Sequence, residues 1–207
     1  ALYNIVIFAA IRDKVYIVYI GYLLSAFLVL ATVNGFGYLI FSQEIQRWLI
    51  ASPLFFHYYL VIFLILFTLY FLKFDENRDW LYRIGVYVVC GLVVLSIISQ
   101  LLHHTLQAKI FFSLPPLLYA YSLLLVFLRL RKQFVWARFY LLSWIPLLMG
   151  ATAQSLVQLN HLDYSFLLHN AFMIAVLVEV TLMAFALAER MRRIELERVK
   201  GISYHPS

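Results

Sequence analysis

Charge is what this sequence has least of. Asp, Glu, Lys and Arg make up only 13% of its 207 residues, while 65% are hydrophobic and the mean hydropathy is +0.90. Soluble domains carry about 25% charged residues. The deficit excludes a soluble globular domain and points to a chain dissolved in a bilayer, where only an internally hydrogen-bonded backbone is tolerated and long apolar runs cross as helices. Cysteine is nearly missing as well: Cys90 stands alone inside an apolar run, which excludes an intrachain disulfide, a thiolate metal cluster and a dithiol redox pair. No G-x-S-x-G and no phosphate-binding loop is present, and the last apolar run has no lysine on which a retinal Schiff base would form, so catalysis has little support and no cofactor is expected. An internal repeat is also lacking, which argues against a transporter built from two similar halves.

What is present is a series of apolar runs at residues 15–39, 53–74, 84–101, 110–128, 139–159 and 166–188, preceded by a shorter one at 1–11. A full span needs roughly 20 residues, so the first run reads as the inner half of a truncated helix. It has neither a basic leading segment nor a small-residue cleavage site, and so is not a signal peptide. The expected fold is all-α: a polytopic, seven-transmembrane helical bundle with its first helix truncated. Lys and Arg set the orientation. On alternating loops, 14 fall on one side (Arg12, Lys14, Lys73, Arg78, Arg83, Arg129, Arg131, Lys132, Arg138, Arg190, Arg192, Arg193, Arg198 and Lys200) and two on the other (Arg47 and Lys109). Basic loops stay in the cytoplasm, which predicts N-out and C-in. The net charge of +6 sits beside apolar runs, a placement that suits anionic lipid rather than nucleic acid. The partner to expect is the lipid bilayer.

The longest outer connection runs over residues 34–53. Within it Ile45, Trp48 and Leu49 fall opposite Gln43, Glu44, Gln46 and Arg47 at helical spacing, which predicts a short helix lying in the membrane interface. Ser52 and Pro53 then read as the cap and first residue of the next span.

Glu179 is the most expensive residue in the sequence. Nine uncharged residues separate it from Glu189. At 1.5 Å per residue it lies about 16 Å above Arg190, near the middle of a hydrocarbon core about 30 Å thick. A carboxyl there is neutral or finds a partner in the bundle interior. Asn4, at a depth of roughly 12 Å above Arg12 by the same rise, and Tyr119 are candidate donors. Three roles stay open for Glu179: a packing hydrogen bond, a latch whose partner changes between two states, and the ion or proton site of a transporter or channel.

A second polar group gathers on the outer side. His57, His103, His104, His161 and His169 fall there, with Gln100, Gln154, Gln158 and Asn170 within about two turns. They read as interfacial residues, as the lining of a small-ligand pocket, or as a metal site with Asp163 or Glu44. His103, His161 and Asp163 are the metal candidates, and would make the chain a metal-dependent intramembrane hydrolase. No H-x-x-x-H or H-E-x-x-H spacing supports that reading.

Three segments carry a family resemblance: LYNIVIFAAIRDKVYIVYIGYLLS near the start, RFYLLSWIPLLMGA from Arg138 and VLVEVTLMAFALAERMRRIELER from Val176. Together they resemble the membrane domain of bacterial seven-transmembrane receptors with diverse intracellular signalling modules, in order along nearly the whole chain. Tyr3, Asn4, Arg12, Asp13, Arg138, Glu179, Leu187, Ala188 and Arg190 match the family pattern. The resemblance implies a multi-pass receptor core in the bacterial inner membrane. Such a core commonly follows a periplasmic sensory domain and precedes a histidine kinase, diguanylate cyclase or related output module in the same chain. It implies no catalytic residue here. Residues 1–190 are then the transmembrane sensor domain, sensing an unknown small ligand or other stimulus, and 191–207 a cytoplasmic extension of the last helix leading to the output module. Leu187, Met191 and Ile194 continue an apolar stripe past the membrane, a pattern suited to a signalling helix that pairs in a homodimer. A basic end holding anionic headgroups is the competing reading of the same residues.

Overall fold

The computed structural model describes residues 13–33, 35, 37–51, 54–74, 79–130, 135–158 and 161–202. Among these, all regular structure is helical: nine helices and no strand. The chain divides into two compact units, Ala1–Phe127 and Leu128–Ser207. The run at 1–11, Asn4 and the Ser52-Pro53 cap lie outside the described residues.

The first unit holds α1 (Lys14–Val33), α2 (Gly37–Ile40), α3 (Gln43–Ala51), α4 (Leu54–Phe71), α5 (Trp80–Ser99) and most of α6 (His104–Leu130). Helix α4 is apolar all round, and such a helix belongs at the centre of a bundle. Leu64, Ile65, Phe67, Thr68, Leu69 and Phe71 are all buried. Against it lies the tyrosine face of α1: Tyr16, Tyr19 and Tyr22 are buried, and the Tyr19 ring is 5.5 Å from Phe67. The opposite face of α1 leaves Ile17, Leu24 and Phe27 exposed, as a lipid-facing side requires.

Contacts fix the helix directions. Gly21 abuts the Phe63 ring, Gly85 approaches Leu69, and the Tyr121 hydroxyl donates to the Leu81 carbonyl at 2.9 Å. Successive long helices of this unit therefore run antiparallel. Lipid tails are as apolar as leucine, so helices gain little from burial against one another and associate through close packing and interhelical hydrogen bonds. The glycines at these crossings permit that approach. Helix α4 ends in a Schellman turn: Phe74 N–H donates to Leu69 at 3.1 Å and Lys73 N–H to Tyr70 at 3.2 Å, with Lys73 left-handed at φ 52°.

The second unit holds α7 (Val135–Gln158), α8 (Phe166–His169) and α9 (Ala171–Ile202). Helix α7 continues through Pro146. At Gly150 it approaches α9 so closely that an added Cβ would run into Ala175 and the Ala171 carbonyl oxygen, the latter at 2.6 Å.

Among the described residues, three helical segments have the length and hydropathy of membrane spans, Lys14–Thr32, Trp80–Ser99 and Ala171–Arg193, and two shorter apolar helical stretches are Phe55–Phe71 and Leu117–Leu128. Two expected runs end differently from their apolar patterns. The run at 15–39 stops as a helix at Val33, because Gly35 takes a left-handed φ of 76° and α2 starts afresh. The run at 166–188 breaks at Asn170, whose side-chain nitrogen donates to the Phe166 carbonyl at 2.9 Å and closes α8. The last long helix thus starts at Ala171.

Candidate functional site

Helix α9 carries one continuous buried face. Ala175, Val176, Glu179, Met183, Ala186, Leu187 and Arg190 recur at three- and four-residue intervals and are all buried, whereas Ile174, Leu177, Val178 and Phe185 are exposed. Glu179 is 0% exposed and Arg190 4%. Three turns, about 16 Å, separate them on nearly the same side of the helix. They are too far apart to pair with each other, so the stripe holds two separate buried ionisable groups. Such groups are costly in a membrane and are retained there for function by default.

Below the stripe the helix becomes polar without breaking. Glu189 holds two guanidinium groups, Arg192 Nε at 3.0 Å and Arg193 Nε at 2.8 Å. These i,i+3 and i,i+4 pairs support the helix as it leaves the apolar zone. Leu187 is buried and Met191 half-buried, while the side chain of Ile194 lies outside the described residues. The fully buried line continues from Leu187 through Arg190 rather than Met191.

The first unit has its own polar end, where α4 begins, α5 finishes and α6 begins. Buried Gln107 donates through Nε2 to the carbonyls of Ser99 at 2.7 Å and Leu102 at 2.9 Å, tying the α5–α6 turn together. Ser99 donates to the Ser96 carbonyl at 3.0 Å, and Tyr58 is buried near the start of α4. The amide nitrogen of Gln100 is 3.5 Å from the Ser96 carbonyl. Of the outer residues expected from sequence, His57 and Gln100 are half-buried at this end, and His103 is exposed with its carbonyl accepting from Gln107 N–H at 3.1 Å. Tyr119 is half-buried on α6.

In the second unit His161 and Asp163 are exposed in the α7–α8 connection, and half-buried Asn170 closes α8. The side chains of His104, Gln154, Gln158 and His169 lie outside the described residues. No group of three His, Cys, Asp or Glu side chains among the described residues is placed to hold a metal ion.

Gln46 departs from its sequence pattern. Expected on the polar side of an interfacial helix, it is 2% exposed, and neither its amide nitrogen nor its amide oxygen has a hydrogen-bond partner among the described residues. Ile45 and Trp48 are exposed, and so are Gln43, Glu44 and Arg47, which leaves Gln46 as the polar residue that departs from the pattern. A buried polar group left unsatisfied costs about 1–3 kcal/mol. Sequence reading missed Gln46, Tyr58, Ser99 and Gln107 as a set. The available signal was the Ser96, Ser99 and Gln107 spacing near one helix end, which gives a location but not the pairing.

These features define a multi-pass helical membrane protein with a polar end in its first unit and a buried stripe carrying two ionisable side chains in its last helix. The 7TM diverse intracellular signalling family matches residues 1–190, and the chain belongs to that family. No curated protein and no solved structure matches it.

Proposed function

We propose that the chain is the sensory and relay domain of a transmembrane receptor: an extracytoplasmic or intramembrane stimulus shifts or rotates α9, which passes the change to a cytoplasmic output module such as a histidine kinase or diguanylate cyclase. The observation that carries this reading is α9 itself, one helix from Ala171 to Ile202 that joins a buried stripe containing Glu179 to a charged extension. Motion at one end of a continuous helix reaches the other, and a stimulus shifts such an equilibrium by interacting differently with its two states. In this reading the domain catalyses nothing itself. It lies in the bacterial inner membrane as seven spans, N-out and C-in, supported by the basic asymmetry of the loops. Residues 1–190 sense, 191–207 relay, and two copies pair along the extension.

Helical phase tests the relay. With the tail fused to a reporter kinase, insertion of one, two, three or four residues after Arg193 turns the output by about 100° per residue. Output should change with phase and approach its starting level at four residues. Output indifferent to phase would count against rotation. Proton or solute flux in proteoliposomes that vanished in Glu179→Gln would instead identify a transporter.

A further inference from the structure

We propose that α3 is a lid over a small-molecule site at the polar end of the first unit, and that Gln46 reads a ligand carrying a hydrogen-bond donor beside an acceptor, as on the edge of a carboxamide or a neutral carboxylic acid. The buried amide of Gln46 has both its N–H donors and its carbonyl acceptor unmet among the described residues. Its backbone N–H is satisfied by Ser42 at 2.9 Å, so the deficit belongs to the side chain alone. A primary amide offers donor and acceptor on one planar edge, and a complementary edge satisfies both at once. A simple cation would meet only the oxygen and a simple anion only the nitrogen.

The surroundings of Gln46 are those of a hinged lid. Its side chain occupies space left by the missing Cβ of Gly37, where an added Cβ would lie 2.5 Å from Oε1 and 3.1 Å from Nε2. Ahead of this point Gly35 is left-handed at φ 76° with open space at its Cβ position, and it is the proposed hinge. At the far end Trp48 packs against Phe55 and Phe56 of α4, with ring centroids 5.1 and 6.2 Å apart, and anchors the lid. Hinged at Gly35 and anchored at Trp48, α3 closes with an amide that a ligand of the right edge would satisfy. The site supplies an input for the proposed receptor, but its occupancy is measurable without any output.

The test is hydrogen–deuterium exchange of residues 37–51 in the whole chain, held in lipid nanodiscs and titrated with propionamide. N,N-dimethylpropionamide, which cannot donate, is the control. Propionamide should slow exchange in 37–51 at least threefold and leave residues 60–71 unchanged, while the dimethyl compound does nothing. Gln46→Met, free of the unmet amide, should exchange more slowly without ligand and lose the propionamide response. Gly37→Ala, which displaces the Gln46 side chain, should exchange faster without ligand and show a weaker response to propionamide than the wild type. Equal effects of the two compounds, a response retained in Gln46→Met, or no response to either compound would overturn the proposal. A positive result combined with phase-independent output would defeat the relay and leave the site standing.

Discussion

Gly150 decides how closely α7 and α9 approach, because any side chain there meets Ala175 and the Ala171 carbonyl. With little hydrophobic gain available between helices in lipid, the lost approach is not offset elsewhere. Gly150→Ala should destabilise the second unit by about 1–3 kcal/mol, the usual cost of overpacking, measured by denaturant unfolding in detergent. Gln107→Leu removes the two bonds that tie α5 to α6. It should cost roughly 1 kcal/mol in the same assay, within the range for buried polar contacts in membrane helices. Glu179→Gln keeps a neutral hydrogen-bonding group on the α9 stripe and should preserve reporter output, whereas Glu179→Leu should change it severalfold. Equal output from wild type and both variants would remove Glu179 from the relay. Glu179 was legible in the sequence because a lone carboxyl in an apolar run is anomalous wherever it packs. Gln46 and Gln107 were not, since a glutamine beside a helix end looks the same whether it faces water, a carbonyl or nothing.

At the scale of elements, apolar runs located the long helices, because a bilayer demands them. Their ends were legible only in part. The apolar run continues to Leu39, but the outer connection placed from residue 34 marked the break, and the helix does end at Val33 with Gly35 left-handed. The α8–α9 break escaped: Asn170 is flanked by Leu167, Leu168, Ala171 and Phe172, and only its bond to the Phe166 carbonyl sets it apart. The continuation of α9 past Arg190 was readable from the absence of glycine or proline up to Lys200. That continuity makes a prediction about the element alone. Replacing Met191 and Arg192 with glycine costs about 1 kcal/mol of helix propensity per residue and should loosen the junction. In that background the insertions after Arg193 should lose their phase dependence, while unfolding of the bundle above barely changes. Phase dependence that survived would mean that output does not travel through the backbone of this helix.

For the whole molecule, the membrane class follows from composition and the family resemblance from three segments with charged landmarks embedded in apolar sequence, and the match over residues 1–190 agrees with both. In the proposed relay, the mechanical state of α9 sets how a stimulus becomes an output. Two exposed positions on that helix, Leu177 within the apolar segment and Leu196 beyond it, suit spin labels. They stand about 28 Å apart along an unbroken helix at 1.5 Å per residue. With Leu177→Cys and Leu196→Cys introduced and the exposed Cys90 replaced by alanine, pulsed electron–electron distance measurement in nanodiscs reads the helix directly. The account predicts one narrow distribution centred near 28 Å, within the reach of the label arms. A broad distribution, or a second population several ångströms shorter, would show that the helix bends or melts at the membrane boundary and cannot carry the signal.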